Sequence, residues 1–238
     1  MQNTKKEDGT VIYVMSDLHG CYDKYCRMLQ KIQLSDSDEL LVLGDVIDRG
    51  EGGIAILQDM MARPNVFGFL GNHEYTMTAV LGSLGKKLPA EKVASLQAVF
   101  RFWLEDGGAP TFEAYRRLTP KEQESVLAYI NGFSLFDEIT LGERVYFLSH
   151  AGIDHYVPGK SLFDYEAPDM ISGRMDYSRP LFADKFTVSG HTPTGLIDPA
   201  SSGRIFRQNR HFAIDCGAVF GKPLGCLCLD TEEEFYVE

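Results

Sequence analysis

The sequence predicts an α/β protein in which two packed β-sheets carry helices on the outside. Short apolar, β-branched runs alternate with amphipathic segments in the first third of the chain, which is typical of parallel strands joined by helices. A long helical block follows, and the rest of the chain returns to short strands with a hairpin signal at residues 140–144. We therefore expect a parallel first sheet and a second sheet that is mixed or antiparallel.

Three apolar runs in the first third are predicted to be buried strands, at residues 11–15, 39–43 and 65–70. Two segments between them repeat apolar residues at helical spacing, namely Tyr25, Met28, Leu29 and Ile32 in the first and Ile54, Leu57 and Met61 in the second. Because short connections join strand, helix and strand, these strands should pair in parallel through right-handed crossovers.

Residues 74–131 change character and are predicted to be a helical insert in a single domain of residues 1–238. The sequence Thr-Pro-Lys-Glu at 119–122 has the form of a capping box with proline at the first helical position. Segment 153–184 is irregular and should be a long functional loop with a short helix. Strands are predicted again at residues 134–140, 144–149, 185–189, 211–215, 224–230 and 234–237.

The composition is that of an ordinary folded domain, with 44% hydrophobic and 24% charged residues. No stretch approaches the ~20 apolar residues of a membrane helix, and the polar start contains no secretory signal. We therefore expect a cytoplasmic protein without a membrane partner. A net charge of −11 argues against a nucleic-acid polymer as partner, because Lys and Arg supply phosphate contacts. The five cysteines contain no Cys-x-x-Cys pair and should be reduced structural thiols.

A polar cluster follows each of the three early strands. Asp17 and His19 come after the first, Asp45 after the second, and Asn72 with His73 after the third. Ligands of open α/β sheets bind outside the carboxyl ends of the strands, so these clusters should converge on one site. His150 and His191 follow two later strands in the same way.

The residue types in these clusters are those of a metal site. Carboxylate and amide oxygens are offered by Asp17, Asp45 and Asn72, and imidazole nitrogens by the histidines. Mixed oxygen and nitrogen ligands suit manganese, iron or zinc better than magnesium. Any one cluster alone is more often a turn or a helix cap, but their repetition at matched strand ends favours a metal site.

The motifs resemble those of the phosphoprotein phosphatase family of metallophosphoesterases. Residues 16–20 (Ser-Asp-Leu-His-Gly) are similar to Gly-Asp-x-His-Gly, with Ser16 in place of the usual glycine. Residues 44–50 (Gly-Asp-Val-Ile-Asp-Arg-Gly) and 71–74 (Gly-Asn-His-Glu) match the next two motifs. The resemblance extends over about residues 11–230 and is closest to the bacterial branch.

This resemblance implies a fold and a ligand set. The fold is a two-sheet α/β/β/α sandwich of the calcineurin-like metallophosphoesterase type around two divalent metal ions, with manganese expected and iron or zinc as alternatives. By motif position, Asp17, His19 and His191 resemble the ligands of one metal. Asn72 and His150 resemble those of the other, and Asp45 resembles the bridging ligand.

The remaining motif residues are expected to handle substrate and protons. Arg49 should bind phosphate oxygens as a planar fork, with Asn72 beside it. His73 should be the general acid that protonates the leaving alkoxide, and Asp48 should orient it and keep it protonated. Arg174 is expected to be the second phosphate-binding arginine, with Arg179 as a competitor because the tryptophan of the family's Trp-x-Arg element is missing.

The family contains two substrate classes that the sequence leaves open. The principal expectation is a serine/threonine protein phosphatase acting on a phosphorylated protein. The alternative is symmetrical hydrolysis of diadenosine tetraphosphate or another dinucleoside polyphosphate. A metal-binding scaffold without turnover is a weak third reading, because every ligand and the acid are present.

Overall fold

Two β-sheets pack face to face in the computed structural model, which describes residues 3–4, 9–83, 86–87 and 89–238. The first sheet has five strands in the order β11-β10-β2-β3-β4, and the second has six in the order β1-β5-β6-β7-β9-β8. The strand bounds are β1 Asn3–Thr4, β2 Ile12–Met15, β3 Glu39–Val42, β4 Val66–Gly68, β5 Phe136–Leu141, β6 Arg144–Ser149, β7 Phe186–Ser189, β8 Phe206–Gln208, β9 His211–Ala213, β10 Leu224–Cys228 and β11 Glu234–Val237.

Strand direction places the polar clusters at one edge of the sandwich. In the first sheet β2, β3 and β4 are parallel, with Met15 opposite Val42 and Val42 opposite Gly68. In the second sheet β6, β7 and β9 are parallel to one another. Strand β5 is antiparallel to β6 but parallel to β1, and β8 is antiparallel to β9. The carboxyl ends of five strands therefore deliver the loops that carry the candidate residues.

The inner core lies between the two sheets. Ile12 and Val14 of β2 point into it and meet apolar side chains of the second sheet such as Leu148 and Val188. The alternate residue Met15 points the other way, into a core shared with the helices. Burial on both faces explains why β2 is an uninterrupted apolar run rather than an alternating one.

The helices cover the outer face of the first sheet and form the block at 72–131. Their bounds are α1 Tyr22–Lys31, α2 Gly53–Ala62, α3 Asn72–Leu81, α4 Ala90–Trp103, α5 Ala109–Tyr115, α6 Pro120–Asn131, α7 Ala167–Ile171 and α8 Thr194–Ile197. A kinked turn, Leu104–Gly108, in which the backbone of Gly107 is not helical, joins α4 to α5. The predicted capping box begins α6, where Thr119 and Glu122 each bond the other's backbone N–H.

The predicted fold class, two mixed sheets with helices, is confirmed. The outer face of the second sheet is covered by α7 and the irregular segment around it, which packs Ile153, Tyr165 and Met170 against Phe147. Two short strands, β1 and β8, were not predicted, because a strand of two or three residues shows no alternation. None of the described helices combines the length and apolar character that crossing a bilayer requires.

Candidate metal centre

The loops at the strand ends are backbone-strained where they meet. Among non-glycine residues of the chain, a group of candidate site residues has φ between 41° and 70°: Asp17, His19, Asp45, Asp48, Arg49 and His191. Side chains disfavour this left-handed region, and such strain clusters at functional sites. The fold holds these residues in place because the loops bond to each other.

Backbone hydrogen bonds fasten the loop after β2 to the loop after β3. The N–H of Asp17 donates to Gly44 O at 3.1 Å, and that of His19 donates to Asp45 O at 2.8 Å. Gly71, which precedes α3, packs directly against the loop after β3, and a β-carbon at this position would lie 2.3 Å from Oδ1 of Asp45. The glycine of the third motif is thus required by close approach to the second.

Glu74 fixes the shape of the central loop. Its fully buried carboxylate accepts N–H bonds from Asp45 and Val46 at 2.8 Å each, and from Ile47 and Gly71 at 3.2 Å each. Burial and then the charge of Asp45 raise the pKa of Glu74 to about 7. This role was not predicted from the sequence, although Glu74 belongs to the motif at 71–74; the signal was a charged residue in the first turn of the helix that follows an apolar strand.

Asp45 lies at the middle of the cluster. Its Oδ2 is 3.4 Å from Nε2 of His150, 3.6 Å from Nε2 of His19 and 3.9 Å from Nε2 of His73. Burial alone would raise the pKa of Asp45, but the imidazoles, His150 foremost, outweigh it and hold that pKa well below the usual value. Asp45 is therefore ionised and reaches both halves of the site.

Backbone carbonyls orient two histidines so that Nε2 of each faces this carboxylate. Nδ1 of His19 donates to Ile47 O at 3.0 Å, and Nδ1 of His150 donates to Leu43 O at 2.7 Å. A backbone carbonyl can only accept, so each bond assigns the proton to Nδ1 and leaves Nε2 for a ligand-binding role. Burial lowers the pKa of His19 to about 3, which keeps its Nε2 free of a proton.

The position of His191 corrects the expected grouping. Its Nδ1 lies 3.1 Å from Oδ1 of Asn72 and 3.2 Å from Nε2 of His150, so it faces the second half of the site rather than Asp17 and His19. Spacing along the chain could not show this, because the side chain turns away from the loop that its backbone contacts. Its backbone N–H does donate to Oδ2 of Asp17 at 2.9 Å.

Asp17 is buried next to the loop that carries His191. Burial, more than any other cause, raises the pKa of its carboxyl to about 6. Desolvation of two neighbouring carboxylates, Asp17 and Asp45, is costly unless positive charge compensates it.

The residues fit a pair of divalent cations. Two sets of three described side chains share Asp45, namely His19, Asp45 and His73, and Asp45, His150 and His191, and within each set the ligand atoms lie within 4.8 Å of one another. Hard oxygens and imidazole nitrogens without thiolate suit manganese, iron or zinc. The six predicted ligands Asp17, His19, Asp45, Asn72, His150 and His191 are all brought to this place.

His73 forms a buried dyad with Asp48. Its Nδ1 donates to Oδ2 of Asp48 at 2.7 Å, and the side chains are 2% and 0% exposed. Burial would lower the pKa of His73, but the carboxylates of Asp45 and Asp48 outweigh it and raise that pKa to about 9. A protonated imidazole with one nitrogen fixed and the other facing the site has the form of a general acid.

The helical insert supplies two further contacts to Asp48, and neither was predicted from the sequence. Nε1 of Trp103 donates to the same Asp48 oxygen at 2.7 Å, and the backbone N–H of Asp48 donates to Oγ1 of Thr111 at 2.9 Å. Trp103 is the single tryptophan of the chain and is 1% exposed. A buried indole N–H needs a hydrogen-bond acceptor, so the single tryptophan of the chain was the available signal in the sequence.

Of the predicted arginines, Arg49 is held at the mouth of the site. Its guanidinium contacts Nε2 of His19, and its Nη2 lies 3.2 Å from Nε2 of His73. Arg174 is exposed, and its charge contributes to lowering the pKa of His191, after burial and His150. Arg179 instead pairs with Asp176 at 3.0 Å and is 79% exposed.

Comparison with known proteins places this geometry in a family. The sequence profile of the calcineurin-like phosphoesterases matches residues 10–216. The symmetrical bis(5'-nucleosyl)-tetraphosphatase of Haemophilus ducreyi is 36% identical over 86 residues, which is 35% of this chain and 32% of that protein. The chain is thus matched to about a third of the length of that relative.

Solved structures are similar over nearly the whole chain. A crystal structure whose protein carries the provisional name diadenosine tetraphosphatase has a TM-score of 0.68 at 14% identity, covering 98% of this chain and 95% of the other. A protein serine/threonine phosphatase from Saccharomyces cerevisiae has a TM-score of 0.60 at 13% identity, covering 96% and 74%. At these identities the likeness shows the fold. Fold, motifs and profile agree that this chain belongs to the calcineurin-like phosphoesterase family and is a metallophosphoesterase.

Proposed function

We propose that this metallophosphoesterase removes phosphate from phosphorylated serine or threonine in proteins, with two manganese ions bound around Asp45. One observation supports it above the others: six candidate ligands converge beside a buried His–Asp dyad, with an arginine at the opening. The metals would be held by Asp17 and His19 on one side and by Asn72, His150 and His191 on the other. When bound, a pair of divalent cations supplies Lewis-acid polarisation of phosphate and a water of lowered pKa.

The residues of the chain perform the remaining tasks. Arg49 lies next to His73, so a phosphate held by its guanidinium has its leaving oxygen near Nε2 of that imidazole. His73 then donates the proton on Nε2 to the departing alkoxide. Asp48 continues to accept the hydrogen bond from Nδ1–H and keeps the ring in this orientation. Asn72 contributes a neutral oxygen, which adds no repulsion toward the phosphate. Arg174 supplies the second positive group.

A specific observation favours a second candidate, hydrolysis of a dinucleoside polyphosphate. The Haemophilus ducreyi relative bears that name, and the matching part includes no more than about a third of this chain. Phe220 is 60% exposed and its ring lies 5.5 Å from the guanidinium carbon of Arg49. An exposed ring beside a phosphate-binding arginine can stack on a base.

The two candidates are separated by a direct assay. Purified protein, stripped with a chelator and reloaded with manganese, is tested on a phosphothreonine peptide and on diadenosine tetraphosphate. We expect manganese-dependent release of phosphate from the peptide with the larger kcat/KM. A larger kcat/KM on the tetraphosphate would establish the second candidate, and activity that survives exhaustive chelation would contradict the metal mechanism. Asp45→Asn should lower activity most among single ligand changes, because Asp45 reaches both halves of the site.

A further inference from the structure

The kinked turn Leu104–Gly108 of the insert brings a carboxylate to the imidazole of His73. Oδ2 of Asp106 lies 3.8 Å from Nε2 of His73, the nitrogen that faces the site. The other nitrogen of that ring is occupied by Asp48. Asp106 is 42% exposed, unlike the buried acids around it, so it borders the space that a substrate enters.

The backbone holds Asp106 in this position. The next residue, Gly107, accepts a hydrogen bond from the backbone N–H of Arg49 at 2.7 Å. Gly107 has φ of 104°, and a β-carbon on it would lie 2.7 Å from Cγ of Arg49. The positive φ and the close approach both require glycine at this position, and the kinked turn is therefore packed around Arg49.

The location of Asp106 bears on the leaving group. In the proposed reaction Nε2 of His73 gives its proton to the leaving oxygen, so whatever is attached to that oxygen lies a few ångströms from Asp106. A serine or threonine side chain is neutral there. A dinucleoside polyphosphate presents another phosphate, whose negative charge would face a carboxylate.

We propose that Asp106 is a specificity-determining residue that selects phosphoesters with a neutral alcohol as leaving group over phosphoanhydrides with an anionic one. This inference rests on the proposed function, since it takes His73 as the general acid. Like charges about 6 Å apart at a partly exposed site repel enough to change a rate constant on the order of tenfold or more at low salt. The turn of the insert thus adds substrate choice to a site whose ligands and dyad come from the sheet loops.

The test measures the ratio of kcat/KM on diadenosine tetraphosphate to kcat/KM on a phosphothreonine peptide, with manganese present. Asp106→Asn keeps the shape and removes the charge, and we expect it to raise the ratio about tenfold at low salt and less at high salt. Glu105→Gln is the matched control, because it removes the same charge from an exposed neighbour in the same turn; its ratio should change less than about twofold. Asp106→Glu keeps the negative charge, so its ratio should stay close to that of the wild type.

The outcomes distinguish this inference from the proposed function. If the wild-type protein with manganese hydrolyses neither substrate, the proposed function itself is wrong. If the wild type is active and Asp106→Asn leaves the ratio unchanged, or lowers both rates equally, the selection role of Asp106 is wrong while the hydrolase stands. A ratio that falls in Asp106→Asn would show that the carboxylate assists polyphosphate, for instance by holding a cation on it, and would also overturn the inference.

Discussion

Replacing Trp103 with phenylalanine tests whether the insert is part of the catalytic apparatus. The indole N–H donates to the same Asp48 oxygen that accepts from His73, at 2.7 Å in each case. Oδ1 of Asp48 has no partner within the described chain, so Oδ2 carries both bonds. Loss of the indole therefore frees the carboxylate to rotate and lets His73 lose its fixed orientation.

The expected magnitude follows from these contacts. A buried hydrogen bond to a charged group contributes about 1.5–3 kcal/mol, and loss of the second ring of a fully buried tryptophan removes roughly a further 1 kcal/mol. The free energy of unfolding should fall by about 2–4 kcal/mol, which lowers Tm by roughly 5–15 °C in a chain of this length. The general acid is typically worth ~10²–10⁴ in rate, so a loosened acid should lower kcat by about tenfold.

The assay compares leaving groups. In Trp103→Phe, kcat on phenyl phosphate should fall more than kcat on nitrophenyl phosphate, because the better leaving group needs less protonation. Phe112→Leu is the control: Phe112 packs edge-on against Trp103 with ring centres 6.3 Å apart, yet bonds no carboxylate. It should lower Tm without this leaving-group dependence. Equal losses on both esters in Trp103→Phe would show that the indole stabilises the fold and does not position the acid.

Two further substitutions and a pH series of manganese binding test the site. His73→Asn should retain metal but lose about 10²–10⁴ in kcat on phenyl phosphate, measured with metal analysis of the same sample; loss of metal would contradict the acid role. Arg174→Ala should weaken inhibition by inorganic phosphate about tenfold, whereas Arg179→Ala, whose side chain pairs with Asp176, should not. Burial would lower the pKa of His150, but Asp45 outweighs it and raises that pKa to about 10 in the metal-free protein. Manganese needs the neutral imidazole, so binding should release a proton and tighten from about pH 6 to about pH 8, measured by calorimetry in two buffers; a pH-independent affinity would refute this.

The sheet and the loops that follow it could be predicted from local pattern. Strands β3 and β6 begin where the apolar runs begin, and the observed ends differ from the predictions by one or two residues at most positions in the first sheet. Runs such as Ile12–Met15 are buried on both faces, and this burial produces the continuous apolar signal. The polar residues after them were predicted to converge because parallel strands end at one edge, and they do.

Contacts between distant segments could not be read from spacing. His191 follows its strand as expected, but its ring turns toward Asn72 and His150, and only the packing of the two sheets decides that. Glu74 was visible in its motif, yet its four backbone bonds depend on the loop after β3 lying directly above the start of α3. Neither set of contacts produces a periodic pattern in the sequence.

The insert shows the same limit most clearly. Its helical character was predicted from the pattern and from the capping box at 119–122, but nothing periodic marks the kinked turn between α4 and α5. That turn exists because Gly107 can adopt φ of 104° and accept the N–H of Arg49, a residue that is itself left-handed at 65°. One hydrogen bond, from the N–H of Arg49 to Gly107 O, therefore joins two residues that both have positive φ. This kinked turn places Trp103 against Asp48, the partner of Nδ1 of His73, and Asp106 near Nε2 of the same ring. The segment with the weakest sequence signal thus contributes both contacts that we propose orient the acid and select its substrate.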